Sequence, residues 1–322
     1  MAEQVQLSAT VPDELIGKRL DQAVAELFPE YSRSRLQVWI KDGSLTVDGK
    51  TRRMRDKLMG GELISVNAEL DVIDSFKAVE MPLDIVFEDD HIMIINKPAG
   101  LVVHPAAGHW DDTLLNGLLH YNPDIAQVPR AGIVHRLDMD TTGLMVVAKT
   151  IQAQTELVAQ LQDRSMGREY EAVVNGVMTG GGTVDEPMGR HSRNRQKMAV
   201  VGLGKEAVTH YRVLQKFRAH THIRLKLETG RTHQIRVHMS HINYPLVGDQ
   251  MYGGRFRLPK GISRELQLML KNMQRQALHA KRLEIFHPET GEQMAWEVDL
   301  PDDMVQLLDQ LKQDAETHEI DQ

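Results

Sequence analysis

The stretch from Thr221 to Thr229 constrains this chain more than any other. Ile223, Leu225 and Leu227 alternate with His222, Arg224 and Lys226. A period of two marks a strand with one buried face and one cationic face. Thr209–Phe217 has the length and composition to pair with it antiparallel. The hairpin pattern recurs in Leu83–Phe87 with His91–Ile95 around Asp89-Asp90, and in Leu278–Phe286 with Gln293–Leu300 around Glu289-Thr290-Gly291. Leu144–Lys149 reads as a buried strand and Glu169–Val177 as another. Helical periods are interspersed. Asp112 can open a helix with Leu114, Leu115, Leu118 and Leu119, and Gln152–Gln162 turns Leu157, Val158 and Leu161 inward. Thr232–His241 reads as a helix, and Asp302 or Asp303 opens a last one with Leu307, Leu308 and Leu311. There is no regular βαβ alternation. The pattern favours an α+β fold with a mixed, mainly antiparallel sheet.

Residues 1–67 read as a separate small α+β module. Asp13 can cap a helix through Ala25, with Leu20, Val24 and Leu27 at helical spacing. Ser32 can cap a second, with Leu36, Trp39 and Ile40 on one face and Gly43 just past its end. Ser44–Val47 and Leu63–Val66 read as short strands, with Asp48-Gly49 as a hairpin turn. A linker over 68–81 separates this module from a larger domain over 82–322 that ends in an acidic helix. A chain of 322 residues suits about two domains.

With no cysteine, the chain has no disulfide scaffold, thiolate nucleophile or Cys-ligated metal. No apolar run is long enough to span a bilayer. Residues 1–30 carry six acids and no signal-peptide h-region, so a cytoplasmic location is expected. The formal charge of −7 argues at first against a polyanionic partner. Its distribution reverses that reading. The last 24 residues alone sum to −7, and Ala68–Asp90 is equally acidic. Arg33–Lys57 carries +5, through Arg33, Arg35, Lys41, Arg52, Arg53 and others, and Glu186–Arg236 carries +9. These segments suit a polyanion, although most basic runs are simply solvated faces.

Four clusters are unusually polar for their surroundings. Gly132–Gly143 places His135 and Arg136 beside Asp138 and Asp140 in a loop between apolar segments. A carboxylate near an Arg stays ionised even in a dry pocket, which suits a nucleophile or base. An ion pair that merely ties down a loop has the same residues, and spacing does not choose Asp138 over Asp140. Thr229–His238, with Arg231, His233, Ile235 and Arg236, gathers donors where a core strand ends, which suits anion binding. Arg168-Glu169-Tyr170-Glu171 opens a strand with an aromatic beside a carboxylate. Lys97–Pro105 forms a rigid turn after a strand. Other chemistries fit poorly. His233, His238 and His241 lack zinc-ligand spacing. Gly180-Gly181-Gly182 lacks the lysine and serine of a phosphate loop and reads as a turn. No Gly-x-Gly-x-x-Gly follows a strand, so no dinucleotide is expected, and no serine sits in a nucleophile elbow.

Taken together, the clusters resemble the ribosomal large-subunit class of pseudouridine synthases. His135-Arg136-Leu137-Asp138-Met139-Asp140-Thr141-Thr142-Gly143 is similar to that family's signature. Arg168–Gly176 resembles its aromatic motif, Leu227–His238 its arginine motif, and Asn96–Pro105 its entry segment. Arg19–Gly49 resembles an S4 RNA-binding domain. Met139 departs from the pattern, since a lysine is frequent between the two aspartates. The resemblance covers nearly all the chain except the acidic tail.

It implies isomerisation of uridine to pseudouridine in 23S ribosomal RNA or a pre-50S particle, at several neighbouring positions of one stem-loop, helix 69. No atom is gained or lost, so neither cofactor nor metal is required. By the resemblance Asp138 is the catalytic carboxylate, as nucleophile or base, and Arg236 pairs with it. Tyr170 stacks on the uracil and Ile235 walls the pocket. Arg136 fills the gap left by the flipped nucleotide. His135, Arg231, His233 and the basic S4 residues contact RNA. A monomer with no membrane partner is expected. The competing readings are a non-catalytic RNA-binding assembly factor and a glycosidase, which would need a second acid.

Overall fold

The computed structural model describes residues 3–28, 31, 33–70, 76–106, 108–194, 196–254 and 258–320, and divides the chain into two compact units, Met1–Ser75 and Phe76–Gln322. In the first unit a strand β1 (Glu3–Thr10) precedes helices α1 (Leu20–Leu27) and α2 (Arg33–Asp42), then strands β2 (Leu45–Val47) and β3 (Leu63–Leu70). The sheet runs β1-β3-β2, antiparallel throughout. Leu20, Val24, Leu36, Trp39, Ile40, Leu58 and Ile64 form its core.

Several local expectations change here. The helix expected from Asp13 is a short 3-10 turn, Asp13–Leu15, and α1 begins only at Leu20. Gly17, at φ +78°, turns the chain between them. Ser32, the expected cap of α2, lies outside the described residues. Asp48 and Gly49 form the expected turn, both at positive φ, with Val47 bridging Lys50 across it, and β2 pairs with β3, Leu45 opposite Val66. β3 also continues to Leu70, into residues expected as linker, because pairing with β1 satisfies its backbone.

The second unit begins with β4 (Ile85–Glu88), β5 (Ile92–Lys97), α3 (Leu114–Tyr121), β6 (Thr142–Ala148), α4 (Ile151–Gln162) and β7 (Gly167–Asn175). Short strands β8 (Gly182–Asp185), β9 (Met188–Arg190) and β10 (Met198–Val200) follow. The long pair β11 (Val208–Lys216) and β12 (His220–Leu227) leads to α5 (Gln234–His241) and α6 (Arg264–Asn272). The chain closes with β13 (Leu278–Phe286), β14 (Gln293–Glu297) and α7 (Asp302–Ile320). Thr113, not Asp112, caps α3, in a box with Asn116. α5 starts two residues later than expected, because His233 takes a left-handed conformation at φ 58°.

The main sheet runs β4-β5-β6-β13-β7-β12-β11-β8, with β14 on β13. Among the described residues one pairing is parallel, β6 with β13. All seven residues of β6 are buried, as a strand covered on both faces requires. Gly143, at φ +110°, permits the close approach of these two strands: a Cβ there would lie 2.3 Å from the Ala280 carbonyl oxygen. Tyr170, Ala172, Ile223, Leu225 and Leu227 pack on the face that carries the main core. On the opposite face Glu171 accepts from Arg224 at 2.7 Å and pairs with His222 at 2.9 Å, so part of the cationic face of β12 is neutralised. The acidic terminal stretch is a packed helix. Met304, Leu307 and Leu311 of α7 lie buried against Leu266 and Leu270 of α6. Its Asp314 pairs with Arg218, and its Asp303 with Arg275.

Candidate active site

Asp138 ends up half-buried, facing Arg236, because the loop leading into β6 is tied on every side. Lys97, fully buried at the end of β5, donates from Nζ to the carbonyls of Pro98 (2.7 Å), Leu101 (2.9 Å) and Met139 (2.7 Å). Arg275 donates to the Asp140 carbonyl at 3.3 Å, and Gln276 to the Thr141 hydroxyl at 2.9 Å. Thr142 and His279 hydrogen-bond at 2.8 Å. Burial pushes the Lys97 ammonium down to about 7, against the pull of Asp140 and Asp138.

Arg236, on α5, is the main partner of Asp138. Its Nη1 donates to Asp138 Oδ2 at 2.9 Å. Its other edge grips Asp249, Nε to Oδ2 at 2.8 Å and Nη2 to Oδ1 at 3.0 Å. Such a fork fixes the plane of the guanidinium. Asp249 also accepts from the backbone N–H of Met251 and Tyr252, both at 2.9 Å. The Arg236 guanidinium lies 5.0 Å from the centre of the Tyr252 ring. Burial opposes its charge, but Asp249 and Asp138 together raise its pKa. Burial likewise opposes the Asp249 carboxylate, and Arg236 more than compensates, so its pKa is lowered.

The remaining expected residues of the second unit line one cleft of about 650 Å³. Tyr170 and Ile235 are buried in its wall. Burial and Asp138 raise the Tyr170 phenol, against Arg168, so it keeps its proton at neutral pH. Arg136 and Arg231 are exposed; Arg231 Nε donates to the Glu206 carbonyl at 3.0 Å. His233 hydrogen-bonds through Nδ1 to the Tyr252 hydroxyl at 2.8 Å, and its Nε2 stands 3.8 Å from Asp138. His135 is turned to the scaffold: its Nε2 accepts from the Val146 N–H at 3.1 Å, and burial, with Arg168 adding, pushes it down to about 3. It is therefore a neutral positioning group that borders the cleft. Asp140 offers its backbone to Arg275, while Asp138 meets Arg236, which separates the two aspartates that spacing left equivalent. The second carboxylate in the cleft is Glu228. His210 and Arg164 bond to it and, against slight desolvation, lower its pKa, so it is a poor proton donor.

In the first unit Lys41, Arg52 and Arg53 are exposed, and the side chains of Arg33 and Arg35 lie outside the described residues. Sequence reasoning missed Asp249 and Tyr252. The run Gly248-Asp249-Gln250-Met251-Tyr252-Gly253-Gly254 carried the signal, an acid and an aromatic enclosed by turn glycines. It also gave Lys97 no role.

The family model described as RNA pseudouridylate synthase matches residues 91–241, and that of the S4 domain matches 18–62. Ribosomal large subunit pseudouridine synthase D of Pseudomonas aeruginosa is 63% identical over 98% of this chain and 99% of its own. The chain belongs to that family of pseudouridine synthases. The Escherichia coli K12 relative of the same name is 58% identical over 99% of this chain and 98% of its own. Among solved structures, human RNA pseudouridylate synthase domain containing 4 matches with a TM-score of 0.55 and 27% identity, over 71% of this chain and 92% of that one. As in the resemblance drawn from sequence, the synthase match contains Asp138, Tyr170 and Arg236. Among the described residues no helix is long and apolar enough to cross a membrane.

Proposed function

We propose that this synthase converts several neighbouring uridines of one 23S ribosomal RNA stem-loop, helix 69, to pseudouridine, with Asp138 as the catalytic carboxylate. The observation that carries the reading is the chain Asp138–Arg236–Asp249 beside Tyr170 in a cleft bordered by cations. The names of the relatives, which specify the ribosomal large subunit, support the choice of RNA.

The target uridine flips into the cleft, and Arg136, exposed at its edge, fills the space left in the RNA. That offsets part of an unstacking cost of about a few kcal/mol. Ile235 and Tyr170 hold the base in an apolar slot. Asp138, oriented by Arg236, acts on the ribose as nucleophile or base. Uracil delocalises the electron pair released from the glycosidic bond, so no acid need protonate the leaving group. Tyr170 assists removal of the C5 proton. Arg231, His233 and the +9 segment track the RNA backbone, and the S4 unit clamps a neighbouring element through Arg33, Arg35, Lys41, Arg52 and Arg53. The enzyme acts in the cytoplasm as a monomer on 23S RNA or a pre-50S particle. Glu228, held ionised by His210 and Arg164, does not supply the acid of a glycosidase.

The test is Asp138→Asn. It should fold, bind the RNA, and form no pseudouridine when scored by carbodiimide adduct and primer extension. Full activity in this variant sinks the assignment. A wild-type protein that binds the RNA but forms no pseudouridine favours the assembly-factor reading.

A further inference from the structure

Two buried guanidiniums face the cleft, and only one is neutralised. Arg236 makes three bonds to carboxylate oxygens. Arg168, 6% exposed at the start of β7, makes no ion pair among the described residues. Its Nε has no hydrogen-bond partner, and its one hydrogen bond among the described residues is a long one, Nη2 to the Glu228 carbonyl at 3.5 Å. A buried, unpaired cation is costly, so folds retain one only against a compensating anion. The surrounding chain makes room for it: a Cβ on Gly230 would lie 2.6 Å from Arg168 Nη1. Arg168 is two residues before Tyr170 on one strand, so both side chains point to the same face, and both line the cleft.

The missing anion must come from the substrate. Phosphodiesters stay linked to neighbouring nucleotides, at the mouth where Arg136 and Arg231 are exposed. A cation as buried as Arg168 meets the base.

We propose that Arg168 is a further catalytic residue, whose guanidinium donates to a uracil carbonyl oxygen and stabilises the negative charge the ring carries once C1′–N1 has broken. This rests on the pseudouridine reading above. The C1′–N1 electron pair passes to the ring, giving a uracil monoanion shared between N1 and the carbonyl oxygens. After rotation C5 bonds to C1′, the C5 proton leaves, and N1 gains a proton, so the net change is isomerisation alone. Arg168 matters most in the interval when the ring is detached. The role is that of an oxyanion hole built from one side chain.

The experiment compares single-turnover cleavage of uridine and of 5-fluorouridine in the same RNA stem-loop, with wild-type enzyme, Arg168→Gln and Arg168→Lys. Fluorine at C5 stabilises the ring anion by itself, so the protein's contribution matters less. For uridine the Gln variant should lose about 10²–10³-fold, the usual effect of removing one such donor. For 5-fluorouridine, followed as loss of the intact nucleoside, the deficit should shrink about tenfold or more. RNA affinity should change little, and the melting temperature should hold or rise, because an unpaired buried charge is gone. The Lys variant, which keeps charge without the fork, should fall between and carries the same test should Gln fail to fold. Equal deficits on both substrates, or unchanged activity on uridine, overturn the proposal. Weakened RNA binding with a shallower salt dependence would instead make Arg168 a phosphate ligand. A wild-type enzyme that forms no pseudouridine in this RNA counts against the functional reading itself, and only activity lost or kept among the variants bears on Arg168.

Discussion

The loop Asp138–Thr142 and the basic surface of the N-terminal unit both hold charge, in opposite ways. In the loop, five consecutive residues are each tied to a side chain from elsewhere: Arg236, Lys97, Arg275, Gln276 and His279. In the N-terminal unit Lys41, Arg52 and Arg53 are exposed, with no side-chain partner among the described residues. On the function proposed above, the difference reflects two tasks. Chemistry on one bond needs an atom held to within a fraction of an ångström, and that takes many ties from separate strands. Attraction of a polyanion needs only charge at the surface, free to adjust.

The strongest way to break the comparison is to remove a tie. Asp249→Ala strips Arg236 of its two-bond partner and leaves a buried guanidinium with Asp138 alone. Breaking a buried pair in this way costs about 3–5 kcal/mol. Urea unfolding of the full chain should show that loss in the transition of the second unit, and pseudouridine formation should fall with it, because Arg236 then swings toward Asp138. Asp249→Asn, which keeps the shape, should lose less. Stability and activity both near wild type would mean that the carbonyl ties alone place Asp138.

A second effect separates the two regions by pH. Residues 1–75 contain no histidine, whereas the second unit buries several. His220 and His279 are 3% and 1% exposed, and burial pushes each down to about 4. Asp314 partly opposes this at His220, and the Val298 backbone does so at His279. Unfolded, both take up a proton below their ordinary value of 6.5. Between about pH 6.5 and 4 the unfolded chain therefore binds more protons, and stability falls as pH falls. Each contributes at most about 1.4 kcal/mol per pH unit in that window. Glu171, held near 2 because His222 and Arg224 overcome its desolvation, adds to the loss only at lower pH. Hydrogen exchange should show the second unit loosening first on acidification, and His279→Gln should reduce the slope by about one proton. Parallel loosening of both units would contradict this.

The same contrast explains what the sequence made legible. The polar runs that hold Asp138, Tyr170 and Arg236 stand out between apolar strands, but the choice of those three residues within them comes from the family resemblance. The long strands β11, β12 and β13 follow from alternation, and β13 matches its expected bounds. The positioning residues are less visible. Asp249 meets Arg236 across 13 residues of chain, and Lys97 reaches the Met139 carbonyl across 42. Neither distance leaves a local pattern. Arg168 looked like part of a strand, because a missing partner is a property of three dimensions. β1 is equally hidden: only its pairing with β3 makes it a strand. The acidic tail is legible as a helix from its apolar stripe of Leu307, Leu308 and Leu311, whereas its bonds to Arg218 and Arg275 leave no local pattern.

The smallest expected effect lies at the untied surface. Arg52→Ala with Arg53→Ala removes two exposed cations that have no partner to lose, so the melting temperature should not move. Each phosphate contact contributes a little under one to the slope of log affinity against log salt. The double variant should therefore flatten that slope by about 1 to 2, and weaken RNA binding most at low salt. Turnover at saturating RNA should stay unchanged, since no residue of the second unit is altered. Titrations at several salt concentrations, read beside single-turnover rates, separate the two. A lower rate at saturation would mean that the N-terminal cations also set the pose of the target uridine. An unchanged slope would remove Arg52 and Arg53 from the RNA surface and leave the attraction to the +9 segment of the second unit.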